Sequence, residues 1–203
     1  MSAAGEHDLS RAVQVLQQGG VVAFPTETYY GLAVDPFNST ALARLFRLKQ
    51  RASHKPILVL IHSREQLSGL AREVPPVFLP LMARYWPGPL TLVFGALQNL
   101  PQELTAGTGT VGVRISSHPL AGRLVAAFGR PITATSANIS GLPAANSAAD
   151  VQRQFGAGID LVLDGGLTPG GHGSTVVGLQ NDRLFLIRAG GIPYEQVEET
   201  SRT

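Results

Sequence analysis

Leu9, Val13 and Leu16 recur on one helical face before Gly19-Gly20, so the chain opens with an amphipathic helix and passes into a short apolar strand, VVAF, over 21–24. That strand runs into Pro25. A second helix is predicted after Asn38-Ser39, which suit an N-cap, with Leu42, Leu45, Phe46 and Lys49 on one face. The segment KQRASHK over 49–55 then falls at that helix's C-terminal end. Apolar runs at 57–61, 90–94, 111–115, 161–163, 174–177 and 184–187 read as strands, and helix-like segments at 64–70, 77–85, 118–128 and 147–155 alternate with them. The pattern predicts an α/β fold of mixed type: one twisted sheet, mostly mixed or antiparallel, with peripheral helices. Strand spacing is too uneven for a parallel βαβ repeat, and no internal period marks a solenoid or propeller. Glycine-rich stretches at 105–112 and 165–173 sit between strands without a charge run, which predicts binding loops, not linkers.

Composition narrows the classes. With 203 residues and 44% hydrophobic content, the chain can bury a core without disulfides or a structural metal, and one domain over 1–203 is expected. The absence of cysteine excludes a disulfide framework, thiolate zinc sites and cysteine nucleophiles. Five scattered histidines lack ligand spacing, so no dedicated protein ligands for a metal are expected. The first residues lack the basic start and apolar run of a signal peptide, and no stretch approaches the roughly 20 apolar residues of a membrane span. A cytoplasmic protein without membrane association is the expectation.

The net charge of +2 conceals a gradient: residues 36–149 carry eleven Lys/Arg against three acids, and the flanks five against eleven. Such a segment faces either RNA or a small polyanion such as a triphosphate, and charge alone does not choose.

The candidate chemistry lies in loops. PTETYYG (25–31) gathers two hydroxyls, a carboxylate and two tyrosines into a turn. Segment 49–55 holds both lysines of the chain, with Arg51 between them and no acid from 36 to 64. A helix end favoured by the macrodipole explains a cation or two, whereas a polyphosphate pocket also explains the missing counter-charges. Arg114 interrupts the strand VGVRI and must reach solvent or an anion. The G-x-G-x-x-G of Gly107, Gly109 and Gly112 precedes its strand, against a dinucleotide fingerprint. TATSANISG (133–141) suits hydrogen bonding to a polar ligand, or simply a turn with local side-chain bonds. GGLTPGGHGST (165–175) lacks the Gly-Lys-Ser/Thr of a Walker loop, and no G-x-S-x-G elbow occurs. Arg188 closes LFLIR as a last cation.

Taken in order, PTETYYGL, KQRASHKPILVLI, YWPGPLTLVF, GTVGVR, HPLAGRLV, PITATSANISGLPA, GSTVV and LIRAGGI resemble the YrdC-type threonylcarbamoyl-AMP synthase family over about 9–192, in its short single-domain form. The resemblance implies a YrdC-like twisted fold around a large basic cavity. There L-threonine, bicarbonate and Mg²⁺-ATP would give threonylcarbamoyl-AMP and pyrophosphate, and a tRNA threonylcarbamoyl-transferase complex would then modify adenosine beside the anticodon. It implies phosphate-binding and catalytic roles for Lys49 and Arg51. Thr26, Ser136 and Ser174 would meet threonine, and Arg114 its carboxylate or the carbamate, with Thr110, Asn138 and Arg188 toward the nucleotide. The sequence departs from the family pattern at Tyr29, where valine is commoner, and at Ala52 and Gly173, where proline is usual. Two other readings stand: a paralogue of the same fold acting on another substrate, and a protein binding double-stranded or ribosomal RNA. Two lysines and few aromatics are poor material for an RNA stacking platform.

Overall fold

In the computed structural model, residues 3–52 and 55–202 are described. The chain forms α1 (Ala3–Gln17), β1 (Val22–Pro25), β2 (Tyr30–Ala33), α2 (Ser39–Lys49), β3 (Val59–Leu60), α3 (Phe78–Tyr85), β4 (Leu90–Gly95) and α4 (Gln102–Thr105). It continues through β5 (Thr110–Arg114), α5 (Pro119–Phe128), β6 (Ile132–Thr133), β7 (Thr135–Ser136), α6 (Ala148–Phe155), β8 (Leu161–Val162), β9 (Thr175–Gln180), β10 (Arg183–Arg188) and α7 (Tyr194–Thr200). The predicted segment at 64–70 is a 3₁₀ helix, Arg64–Gly69.

Two mixed sheets stand where one was expected. The smaller has the order β7-β2-β1-β8, and the larger β10-β9-β4-β5-β3-β6. In the first, β2 is antiparallel to β1 and β7, and β8 is parallel to β1. In the second, parallel pairs (β9 with β4, β5 with β3) alternate with antiparallel ones. The split follows from burial: β1 and β2 are buried at every position, so this hairpin is a central layer covered on both faces. A cluster of Leu9, Leu16, Phe24, Leu124, Val125 and Phe128 packs α1 and α5 against β1. A larger cluster fills the space between the sheets and under α2, α3 and α7.

Asn38 caps α2 by accepting from the Ala41 amide at 3.1 Å, and Leu42, Leu45, Phe46 and Lys49 are all buried as their spacing predicts. The helix stops because Gln50 takes a left-handed conformation (φ 49°), with the Gln50 and Arg51 amides returning to the carbonyls of Arg47 and Phe46. Lys49 stays on the buried face of the helix, and the reversal at Gln50 takes Arg51 out of it.

One glycine sets how closely two functional segments approach. A Cβ at Gly190 would lie less than 3.0 Å from backbone atoms of Gly173, Ser174 and Thr175, and the Gly191 amide donates to Gly173 O at 3.0 Å. Gly190→Ala is therefore expected to displace 173–175. The predicted cost is about 1–3 kcal/mol, read as a lower midpoint in urea unfolding. An unchanged midpoint would show that this contact yields without strain.

Candidate active site

The two sheets meet in a cavity of about 120 Å³ whose walls come from both. Below it, Pro25 ends β1 and the chain turns through Glu27. Thr26 Oγ1 donates to Tyr29 O at 2.6 Å and receives the Thr28 amide at 3.2 Å, so this hydroxyl builds the turn as well as lining the cavity. Tyr30 is fully buried, and its hydroxyl donates to Gly166 O at 2.8 Å while accepting the Gly165 amide at 3.1 Å. Burial raises the Tyr30 pKa, so it stays a neutral pin that fastens the glycine-rich loop to the floor.

From the larger sheet come Arg114, the last residue of β5, and Arg188, the last of β10. Arg114 is buried and does meet an anion, but one of the chain itself. Its Nη1 donates to Glu27 Oε1, and Ser116 Oγ donates to Glu27 Oε2. Arg188 holds Ser174 O through Nε at 3.2 Å and Nη2 at 2.9 Å, with Ser174 Oγ 2.9 Å from Nη2. Thr91 Oγ1 lies 2.9 Å on the other side of that serine hydroxyl. Arg51 donates to Pro56 O at 2.9 Å from the segment after α2.

Three guanidinium groups thus surround one small space. Burial lowers the pKa of all three, and the charge of Arg188 lowers Arg51 and Arg114 further, while Glu27 works the other way on Arg114. Glu27 is the carboxylate that meets this group, bound to Arg114. An entering anion would relieve the remaining repulsion, which is the electrostatic description of an anion site.

Six of the nine residues singled out from the sequence line the cavity: Thr26, Arg51, Arg114, Ser136, Ser174 and Arg188. The other three do not. Lys49 points beneath the Ser136–Asn138 loop, where Nζ donates to Ser136 O, to Asn138 O at 2.7 Å and to Asn138 Oδ1 at 3.3 Å. It anchors that loop in this structure, because the helix face that carries it is the buried one. Asn138 also turns inward: Oδ1 accepts from Ser136 Oγ at 2.6 Å, and Nδ2 donates to Ile139 O and Leu142 O. Thr110 sits at the opposite end of β5 from Arg114, roughly 13 Å along the strand, with its hydroxyl 2.8 Å from Thr108 Oγ1. Ser53 and His54 of the 49–55 segment lie outside the described residues. Three arginines line the cavity, but its volume is below the roughly 300–1,000 Å³ of common ligand pockets, so the enclosed part fits a small polar molecule and not a whole nucleotide.

Sequence reasoning missed Ser116 and the pairing of Glu27 with Arg114. The carboxylate was visible in the turn, but its partner is 87 residues away. Among the described residues no group of three His, Asp or Glu is placed to hold a metal ion, and no helix is long and apolar enough to cross a membrane.

Hydroxyls and arginines converge between the two mixed sheets of an α/β protein, an arrangement suited to a small anionic ligand. A family model, Sua5_yciO_yrdC, described as telomere recombination, matches residues 14–190. A threonylcarbamoyl-AMP synthase of Pyrococcus abyssi is 42% identical over 188 residues, covering 93% of this chain and 55% of that protein. One of Thiobacillus denitrificans is 40% identical over 170 residues, covering 84% of this chain and 90% of its own length. The crystal structure of P. abyssi Sua5 complexed with L-threonine superposes with a TM-score of 0.91 at 41% identity, over 95% of this chain and 56% of that one. Escherichia coli YciO, at 24% identity and a TM-score of 0.81 over 92% of this chain and 91% of that one, shares the fold. The chain belongs to the Sua5/YciO/YrdC family. It spans about half the length of the Pyrococcus and Bacillus relatives it matches.

Proposed function

We propose that this protein is an L-threonylcarbamoyladenylate synthase, a nucleotidyltransferase that condenses L-threonine, bicarbonate and ATP for the modification of tRNA beside the anticodon. The observation that carries the reading is the convergence of Arg51, Arg114 and Arg188 on a small hydroxyl-lined cavity. It is supported by relatives about 40% identical that bear the synthase name. The cavity's size suits an amino acid inside and a nucleotide reaching out past Arg51 and Arg188.

In the reaction, the threonine amine and bicarbonate give a carbamate and water. A carbamate oxygen then bonds to the α-phosphorus of ATP as the bond to pyrophosphate breaks. Negative charge accumulates on the phosphates in that step, and preorganised cations in a partly dry site lower its barrier. Arg51 and Arg188 fit this task, and Arg114 fits the carboxylate of threonine. Thr26, Ser136 and Ser174 supply hydroxyls for orientation, so the work is positioning and charge neutralisation without a covalent nucleophile. Mg²⁺ would arrive with ATP, held by nucleotide oxygens and water: Glu27, the carboxylate at the cavity, is engaged by Arg114 and Ser116. The product would pass to a tRNA threonylcarbamoyl-transferase complex in the cytoplasm.

The test incubates purified protein with threonine, bicarbonate and Mg²⁺-ATP, and follows pyrophosphate and threonylcarbamoyl-AMP by mass. Threonine-dependent product, with serine far less effective, is expected. Tight ATP binding without any such product would sink the reading and point to a different acceptor substrate.

A further inference from the structure

We infer that Glu27 and Ser116 are a positioning pair that holds the Arg114 guanidinium as the receptor for the amino acid's carboxylate, and that Glu27 is not the base that deprotonates the substrate. The inference rests on the synthase reading above. Arg114 is buried and faces the cavity, and a buried guanidinium without a partner costs several kcal/mol. Glu27 supplies that partner from the turn after β1, so the ion pair ties the smaller sheet to the end of β5 across the cavity.

The carboxylate is held on both oxygens. Oε1 takes Arg114 Nη1 and Oε2 takes the Ser116 hydroxyl. Ser116 is fixed in turn, since its oxygen accepts the His118 amide at 3.2 Å. His118 opens α5, and its Nδ1 accepts the Leu120 amide at 3.2 Å. The Ser116 hydroxyl has one proton to give, and the accepted amide leaves Glu27 as its outlet. The resulting relay, from the start of α5 through Ser116 and Glu27 to Arg114, is a set of rigid elements with one cavity-facing end. A proton taken by Glu27 would remove the counter-ion of a buried arginine, so a base role conflicts with the geometry that holds the site together.

The experiment measures L-threonine binding by calorimetry for wild type, Glu27→Gln, Ser116→Ala and Ser116→Thr, beside pyrophosphate release over a pH range. Loss of a charge-assisted bond predicts threonine binding weaker by about tenfold or more in Glu27→Gln. A smaller loss is expected in Ser116→Ala, largely recovered in Ser116→Thr. ATP affinity and the pH profile of turnover should stay put, which a merely destabilised fold would not allow. Should Glu27→Gln fail to fold, the two serine variants decide alone. Unchanged threonine affinity in the variants overturns the proposal, as does a Glu27→Gln protein that binds normally but loses turnover together with the alkaline rise of its rate. A wild type that binds threonine yet releases no pyrophosphate removes the synthase reading and leaves the positioning pair judged on binding. A wild type that binds no threonine removes both.

Discussion

Arg51→Ala is expected to lower threonine-dependent pyrophosphate release by about 10²–10³-fold, the usual cost of removing one preorganised donor from a developing negative charge. The fold should not suffer. Among the described residues Arg51 donates to the carbonyls of Lys55 and Pro56, in its own segment. Its pKa is held down first by burial and then by the charge of Arg188, so in the ligand-free cavity this cation is poorly placed. Thermal unfolding of the variant is therefore expected at the wild-type temperature or slightly above it. Threonine affinity should change little, because Arg114 takes the carboxylate in our reading. Equal losses in threonine binding and turnover would instead put Arg51 on the amino acid.

The second large effect is expected at Lys49. Its Nζ sits under the loop carrying Ser136 and Asn138 and satisfies two backbone carbonyls and an amide oxygen. Lys49→Met keeps the stem but strands those acceptors, at about 1–3 kcal/mol for each buried group left unmade. Activity should fall with stability, since Ser136 loses its anchor, and threonine affinity should fall at least as far as ATP affinity. A loss confined to ATP affinity would instead make Lys49 a phosphate ligand.

The pH dependence gives a second reading of the same residue. Burial, then the charge of Arg51, pushes the Lys49 pKa down to about 7 from its ordinary 10.5. Between those values the unfolded chain holds a proton that the folded chain has released, so stability rises with pH. From pH 7 to 9 this group should add about 2 kcal/mol to the wild-type free energy of unfolding, and nothing to that of Lys49→Met. Denaturant unfolding at the two pH values measures the difference directly, and parallel slopes would contradict it.

Local pattern carried much of the architecture. The α2 cap at Asn38 and its buried face, the strands at β4, β5, β9 and β10, and the helices α5 and α6 were all readable from spacing and capping. What escaped was short: β2, β7, α4 and α7 span two to seven residues, too few for a period to register. The strand expected at 57–61 narrows to Val59–Leu60. Its flanks instead make single bonds, from the Ile57 amide to Leu104 O and from the Ile61 amide to Arg114 O.

By itself, then, the sequence determined the fold class through periodicity, and the order of its motifs supplied the family resemblance and, through it, six of the residues that line the cavity. The tertiary structure decided their division of labour. Lys49 and Arg51 are two residues apart and read as one cationic motif, yet Lys49 lies on the buried face of α2 and a left-handed Gln50 then turns Arg51 to the cavity. Asn138 and Thr110, which the resemblance places toward the nucleotide, bond within their own loops in this structure. The pairing of Glu27 with Arg114 joins two sheets across 87 positions. Charge compensation of that kind depends on distance in space, which linear spacing does not encode.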